Sequence, residues 1–256
     1  MAAEVFDSVA GEGPDVVLLH GLFGMGSNLG GVSRALQDHY RVHSLDLPNH
    51  GRSGWTTRMS LPAMAQAVQR WMEHRHLETA HFVGHSLGGK VAMQLALDTP
   101  YRVDALVVAD IAPVAYPPSH QAVFAAVTAV AEAGCGSRSE AAEVMAQYLK
   151  EENVIQFLLL SLQRDAAGIY RWRFNHPVLQ AQYDALLAAP EPVAPFDGRT
   201  RFIRGELSDY VHDDYRPQIE ALFPQADIVT LAGCGHWLHA EQPARFNQQV
   251  VAFLDG

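Results

Sequence analysis

The chain predicts an α/β protein: a mostly parallel sheet with helices on both faces and a helical cap inserted into it. Three observations carry this. Continuous apolar runs, VVLLH at 16–20 and ALVVA at 105–109, read as strands buried on both faces, as parallel sheets require. Helix-period segments alternate with the strands. Between 117 and 195 that rhythm stops, and an alanine-rich helical pattern replaces it over too long a stretch for an ordinary connection.

Taken in order, 5–9 (VFDSV) alternates weakly and predicts an edge strand, and 11–15 a turn. The strand at 16–20 ends in HGLFG, and a helix follows over 29–37. The next strand, 41–47 (RVHSLDL), ends in PNHGRSG. Leu61, Met64, Ala65, Val68, Trp71 and Met72 share one side of a helix over 61–74. A short strand through Phe82 and Val83 runs into GHSLGG, then into a helix carrying Val91, Met93, Leu95 and Leu97. The strand at 105–109 ends in DIAP.

Inside the inserted block, Ser137 and Glu140 have capping-box spacing ahead of a helical run. Residues 154–162 are apolar on most sides and predict a buried helix; 177–187 predicts another, and PEPVAP closes the block. Strands resume at 201–204 and 228–231, with helices near 217–222 and over 244–254. The division is therefore a core of two parts, 1–115 and 197–256, and a cap, 116–196. Such an insertion sits over the strand C-termini, where open α/β sheets bind ligands.

Composition excludes several function classes. At 48% apolar and 18% charged the chain is an ordinary globular protein. A net charge of −10 without a basic run argues against nucleic acid and anionic membranes as partners. The N-terminal residues lack the basic and apolar regions of a secretory signal, and FLLLSL at 157–162 is too short to span a bilayer. Two cysteines, Cys135 and Cys234, are too few for a disulfide framework. A cytoplasmic location is expected, without membrane insertion; the oligomeric state is not readable.

The chemistry gathers on Gly84-His85-Ser86-Leu87-Gly88, which fits G-x-S-x-G between a strand and a helix. The glycines relieve clashes at a strained turn, and the serine hydroxyl stands at a helix N-terminus, which favours developing negative charge. A serine needs a base, and the base an orienting carboxylate. His236, in GCGHW after the last strand, is the preferred base, with His239 as competitor; a metal pair at those two histidines lacks a third ligand at suitable spacing. His20 and His50 read as loop supports, and His85 as packing beside the serine. Two carboxylates end strands at the same sheet edge, Asp110 and Asp209, and both satisfy the order Ser–Asp–His. Asp213 and Asp214 read as solvated. The oxyanion donors would be the backbone N–H groups of Leu87 and, from the HGLFG loop, Leu22. Phe23, Phe124, Phe157, Tyr183 and Trp237 are the candidate substrate contacts; Phe124, Phe157 and Tyr183, with Val127 and Leu158, are the apolar cap residues that suggest a hydrophobic pocket.

With HGLFG, NHG, GHSLGGKVAM, DIAP, VIQFLL, FNHPVL and GHWLHAEQP in this order, the chain resembles the α/β-hydrolase superfamily over essentially its full length. Within it, the chain resembles the YbfF-type bacterial esterases and their mitochondrial ABHD-type relatives. The resemblance implies a carboxylic-ester hydrolase with no metal or organic cofactor. It also implies a slight preference for Asp110, since those relatives often lack a carboxylate at the position of Asp209; many other α/β-hydrolases with R-G-x-x-S-D use the later aspartate.

The expected reaction is two-step acyl transfer on short-to-medium acyl esters or thioesters. Carbon–carbon bond hydrolysis or a lyase step on the same residues is the alternative, with Lys90, Arg173 and Arg204 as available cations. A ligand-binding receptor keeping a vestigial hydrolase site is the least favoured.

Overall fold

Alternation within single strands sets the two sides of the core. In the computed structural model, which describes residues 4–256, Val17, Leu19 and Phe82 face one apolar layer while Val16, Leu18 and Val83 face the other. Residues 1–3, the start of the first predicted core segment, lie outside the described residues. All six side chains are at most 1% exposed, and each contributes about 1.5–3 kcal/mol by leaving water.

The first half of the chain gives β1 (Phe6–Ala10), β2 (Asp15–Leu19), α1 (Gly30–Leu36), β3 (Arg41–Asp46), α2 (Leu61–His74), β4 (Ala80–His85), α3 (Leu87–Asp98) and β5 (Val103–Ala109). The start of α2 follows from Ser60, whose hydroxyl accepts the Ala63 N–H, and from a proline in the first turn. It ends where His76 takes φ 56°. The chain then leaves the sheet through α4 (Gln121–Ala133), α5 (Arg138–Met145), α6 (Glu152–Leu159), β6 (Leu162–Arg164), β7 (Tyr170–Trp172), α7 (His176–Ala181) and α8 (Tyr183–Leu187). It returns as β8 (Arg199–Gly205), α9 (Arg216–Leu222), β9 (Ala226–Leu231), α10 (Leu238–Glu241) and α11 (Pro243–Leu254).

Seven strands form one sheet in the order β1-β3-β2-β4-β5-β8-β9. β1 runs antiparallel to β3 and every other pairing is parallel. Val32, Leu36, Phe246 and Val250 of α1 and α11 close one face; Val68, Trp71, Val91 and Leu95 of α2 and α3 close the other. This is the α/β-hydrolase fold. Among the described residues no helix is long and apolar enough to cross a membrane.

β5 and β8 are neighbours in the sheet, so everything between them is an excursion from one strand end. Its two ends are tied together: Tyr116 N–H donates to Leu187 O at 3.0 Å. The sequence pattern predicts only helices here, and the structure corrects that. β6 and β7 form an antiparallel hairpin closed by Asp165, which accepts the Ala167 and Ile169 N–H groups, with Gly168 at φ 85°. A short aspartate-and-glycine turn inside an alanine-rich stretch was the missed signal. Ser137 does cap α5 by accepting the Glu140 N–H at 3.1 Å, but Glu140 reaches back to Gly136 N–H rather than to Ser137.

Candidate active site

Ser86 closes β4 at φ 53° and ψ −119°, a conformation few non-glycine residues adopt. Its N–H donates to Ala109 O at 2.9 Å, which pins the turn to β5. The flanking glycines are needed for space. A Cβ on Gly84 would stand 2.4 Å from Gly88 O, and one on Gly88 2.2 Å from Leu19 O. Ser86 therefore sits at the N-cap of α3, beside N–H groups that have no partner within the helix.

His236 follows β9 on the predicted loop. Its Nδ1–H donates to Asp110 Oδ2 at 2.7 Å. Asp110 is fully buried at the end of β5, at φ 52°, with its N–H donating to Ile203 O at 2.8 Å. The carboxylate is otherwise held by hydrogen bonds: Gly205 N–H donates to Oδ1 at 2.9 Å and Ser208 Oγ–H to Oδ2. A buried charge is tolerable only with such partners. Asp209 takes no part in this. Its side chain is 99% exposed and lies 3.9 Å from His212. Of the two candidate aspartates the geometry brings only Asp110 to His236. Asp213 pairs with Arg204 at 2.7 Å.

The other histidines divide as follows. His85 Nε2–H donates to the His236 carbonyl at 2.9 Å, and its ring lies 4.8 Å from that of His236 and 4.5 Å from that of His239. Burial first, and the neighbouring histidines next, hold it neutral well below the ordinary imidazole range. His239 is pushed down to about 4 by burial and by His236, and its buried Nδ1 meets no partner among the described residues. The competing base therefore lacks an orienting carboxylate. The Tyr210 ring packs against His236, tilted by 32° with centroids 4.2 Å apart, and its carbonyl accepts from Tyr116.

His20 and His50 shape the HGLFG turn from beneath. His20 donates from Nδ1 to Gly21 O at 2.8 Å and accepts the Leu47 N–H at 2.9 Å. His50 accepts the Phe23 N–H at 3.3 Å and donates to Pro48 O at 2.9 Å. Burial lowers them to about 4 and about 3, so both stay neutral and can accept. Within the turn, Phe23 N–H goes to His50 and Gly24 N–H to Gly21 O. The N–H groups of Gly21 and Leu22 meet no such partner among the described residues. Leu22 and Leu87 both line the cavity that holds Ser86 and His236.

That cavity has a volume of about 280 Å³ and mainly apolar walls. Phe23, Phe157, Tyr183 and Trp237 line it, as does Leu158, and the Phe157 and Trp237 rings meet 5.7 Å apart. Phe124 is a correction. It packs behind the wall, 5.3 Å from the Phe23 ring and 5.0 Å from Tyr183, because α4 turns it into the apolar core. Val127 is fully buried there too. Sequence reasoning missed Ser208, Tyr210, Tyr116 and His120. Ser208 stood inside the R-G-x-x-S-D run, but the run points to its aspartate first.

Of the available cations, Arg173 and Arg204 do not line this cavity, and Lys90, which does, is tied to backbone carbonyls. Lys90 donates to the carbonyls of Val114, Leu187 and Ala188 at 2.6–3.0 Å. Arg204 binds Thr230, Val211 O and Asp213, and Arg173 approaches Met25 Sδ.

Residues 16–249 match the alpha/beta hydrolase family. The chain is 43% identical over 241 residues to an esterase of Escherichia coli K12, YbfF, covering 94% of this chain and 92% of that one. It is 36% identical over 249 residues to the mouse sn-1-specific diacylglycerol lipase ABHD11, covering 94% and 81%. Among solved structures, a marine microorganism esterase superposes with a TM-score of 0.94 at 34% identity, covering 98% of this chain and 99% of that one.

Proposed function

The chain belongs to the alpha/beta hydrolase family, and from that premise we propose that it hydrolyses carboxylic esters through Ser86, His236 and Asp110. It is an enzyme of the serine-esterase kind, as its relatives named esterase and diacylglycerol lipase are. One observation carries the finer reading. A serine on a strained turn and a histidine hydrogen-bonded to a buried carboxylate line the same apolar cavity.

Ser86 Oγ attacks the ester carbonyl while His236 Nε2 takes its proton, and Asp110 stabilises the resulting imidazolium. The oxyanion rests on the N–H groups of Leu22 and Leu87, each such donor contributing about 2.7–4 kcal/mol. His236 then protonates the leaving alcohol, and water, activated by the same imidazole, releases the acid from the acyl-serine. Ser208 and Gly205 hold the carboxylate, and Tyr210 and the His85 contact to the His236 carbonyl hold the imidazole.

The cap, 116–196, sets the substrate's size. A cavity of about 280 Å³ with apolar walls suits short-to-medium acyl esters or thioesters, being near the lower end of ligand-pocket volumes. The absence of Arg173 and Arg204 from the cavity lining, and the three carbonyls that occupy Lys90, support ester hydrolysis over carbon–carbon cleavage of anionic substrates. A reducing, cytoplasmic location suits the two free thiols, Cys135 in the cap and Cys234 in the loop after β9, which are buried in separate apolar layers. The test is turnover of p-nitrophenyl butanoate with fluorophosphonate labelling. The wild-type protein should do both and Ser86→Ala neither; a Ser86→Ala variant that keeps its activity overturns the reading.

A further inference from the structure

His120 stands where α4 begins, on the cavity wall contributed by the cap. It shares the cavity lining with apolar residues, among them Phe23, 6.3 Å away ring to ring, Val123 and Leu186. A polar ring in such a wall needs partners for both nitrogens. Nδ1 has them. The Tyr183 hydroxyl hydrogen-bonds to it, and Ser119 Oγ lies 3.3 Å away. Behind the phenol, Ser119 N–H approaches Tyr183 Oη at 3.5 Å, an arrangement that leaves the phenol proton free to donate to Nδ1. An imidazole that accepts at Nδ1 carries its proton on Nε2. Nε2 has no protein partner among the described residues, and it is not one of the sealed, unpaired atoms of the interior.

We propose that His120 is a specificity-determining residue, whose Nε2–H donates a hydrogen bond to a second oxygen of the substrate, remote from the scissile carbonyl. The substrate class is therefore an ester with a further ether, hydroxyl or carbonyl oxygen, rather than a plain alkyl ester. This rests on the ester-hydrolase reading above. Burial lowers His120 to about 4, so at neutral pH it is an uncharged donor, suited to a neutral oxygen and not to a carboxylate. Tyr183 acts through His120, as a positioning residue that fixes its tautomer.

Two isosteric ester pairs test this on the full chain. One places the oxygen on the alcohol side, 2-ethoxyethyl butanoate against pentyl butanoate. The other places it on the acyl side, p-nitrophenyl 3-ethoxypropanoate against p-nitrophenyl hexanoate. kcat/KM within each pair is normalised to the uncatalysed hydrolysis rates. General damage to the fold lowers both members and cancels in the ratio. The wild-type protein should prefer the oxygen-bearing member of at least one pair by on the order of tenfold. His120→Phe should abolish that preference, Tyr183→Phe should weaken it by releasing the tautomer, and His120→Gln, which keeps an N–H, should retain most of it. A wild-type protein that hydrolyses both members without preference, or a preference unchanged in His120→Phe, overturns this inference alone. A wild-type protein that turns over no ester overturns the hydrolase reading and this inference with it.

Discussion

Ser86 and Asp110 both take a positive φ that ordinary side chains avoid. They directly follow adjacent strands at φ 53° and 52°, and Phe23 and Asn49, each at φ 64°, lie in the loops after β2 and β3. Each such residue costs about 1–3 kcal/mol, and such strain concentrates where side chains must be aimed at a site. The serine could be read from local sequence, because its flanking glycines announce the turn. His236 could too, on a glycine-flexed loop. The acid could not. Asp110 and Asp209 both follow strands at one edge, and spacing says nothing about which carboxylate turns inward. What separates them is the positive φ at Asp110 and the Ser208 hydroxyl that reaches it; Asp209, one residue beyond, points to solvent. His120 carried no motif, and only the folded cap brings Tyr183 to it.

At the scale of elements, α3 does more than present Ser86. Lys90, one turn along, is 2% exposed and spends its three N–H donors on carbonyls from both ends of the excursion between β5 and β8, Val114 on the way out and Leu187 and Ala188 on the return. Its ammonium also lies 4.8 Å above the Tyr116 ring. Burial lowers it to about 7, against which the three carbonyls favour the charged form. Lys90→Met should therefore leave three inward-facing carbonyls without a donor and loosen both hinges together. Denaturant unfolding should register a loss of about 3 kcal/mol, and kcat/KM should fall as the cap loses its seat. A variant as stable and as active as the parent would deny Lys90 this role. The helix that carries it was readable from its apolar spacing, as was α2, whose ends match the pattern at both termini. The hairpin β6–β7 was not. Nor was the break at Gln182 between α7 and α8, or the short α10 that carries His239, since four- to six-residue elements hold too few apolar positions to display a period.

At the scale of the whole molecule, the catalytic edge is built over buried neutral histidines. His20, His120 and His239 are lowered to about 4 and His50 to about 3, in each case chiefly by burial. The unfolded chain protonates them near their ordinary value of about 6.5. Between roughly pH 6.5 and 4 the unfolded state thus binds more protons than the native one, and stability rises with pH across that window. On acidification each histidine withdraws up to about 1.4 kcal/mol per pH unit. The melting temperature should fall steeply from pH 7 to pH 5, well above the carboxylate range; a flat profile there would contradict the neutral-histidine assignment. Composition and the order of apolar runs were enough to expect the sheet, the excursion and its place over the strand ends. The motifs marked His20, His50 and His85 as supports, but nothing marked His120 or the burial of His239, because a buried imidazole and a surface one look alike in a sequence with 13 histidines.

The central claim is that Asp110, aimed inward by the strained end of β5, orients His236 for proton transfer from Ser86. The most direct measurement compares kcat for p-nitrophenyl butanoate in Asp110→Asn and Asp209→Asn. Asparagine keeps the shape at either position and removes the charge. Asp110→Asn should lose on the order of a thousandfold or more, with its fold intact by circular dichroism, while the exposed Asp209→Asn should stay within about twofold of the parent. The reverse result, a large loss at Asp209 and near-parental activity at Asp110, would contradict the account.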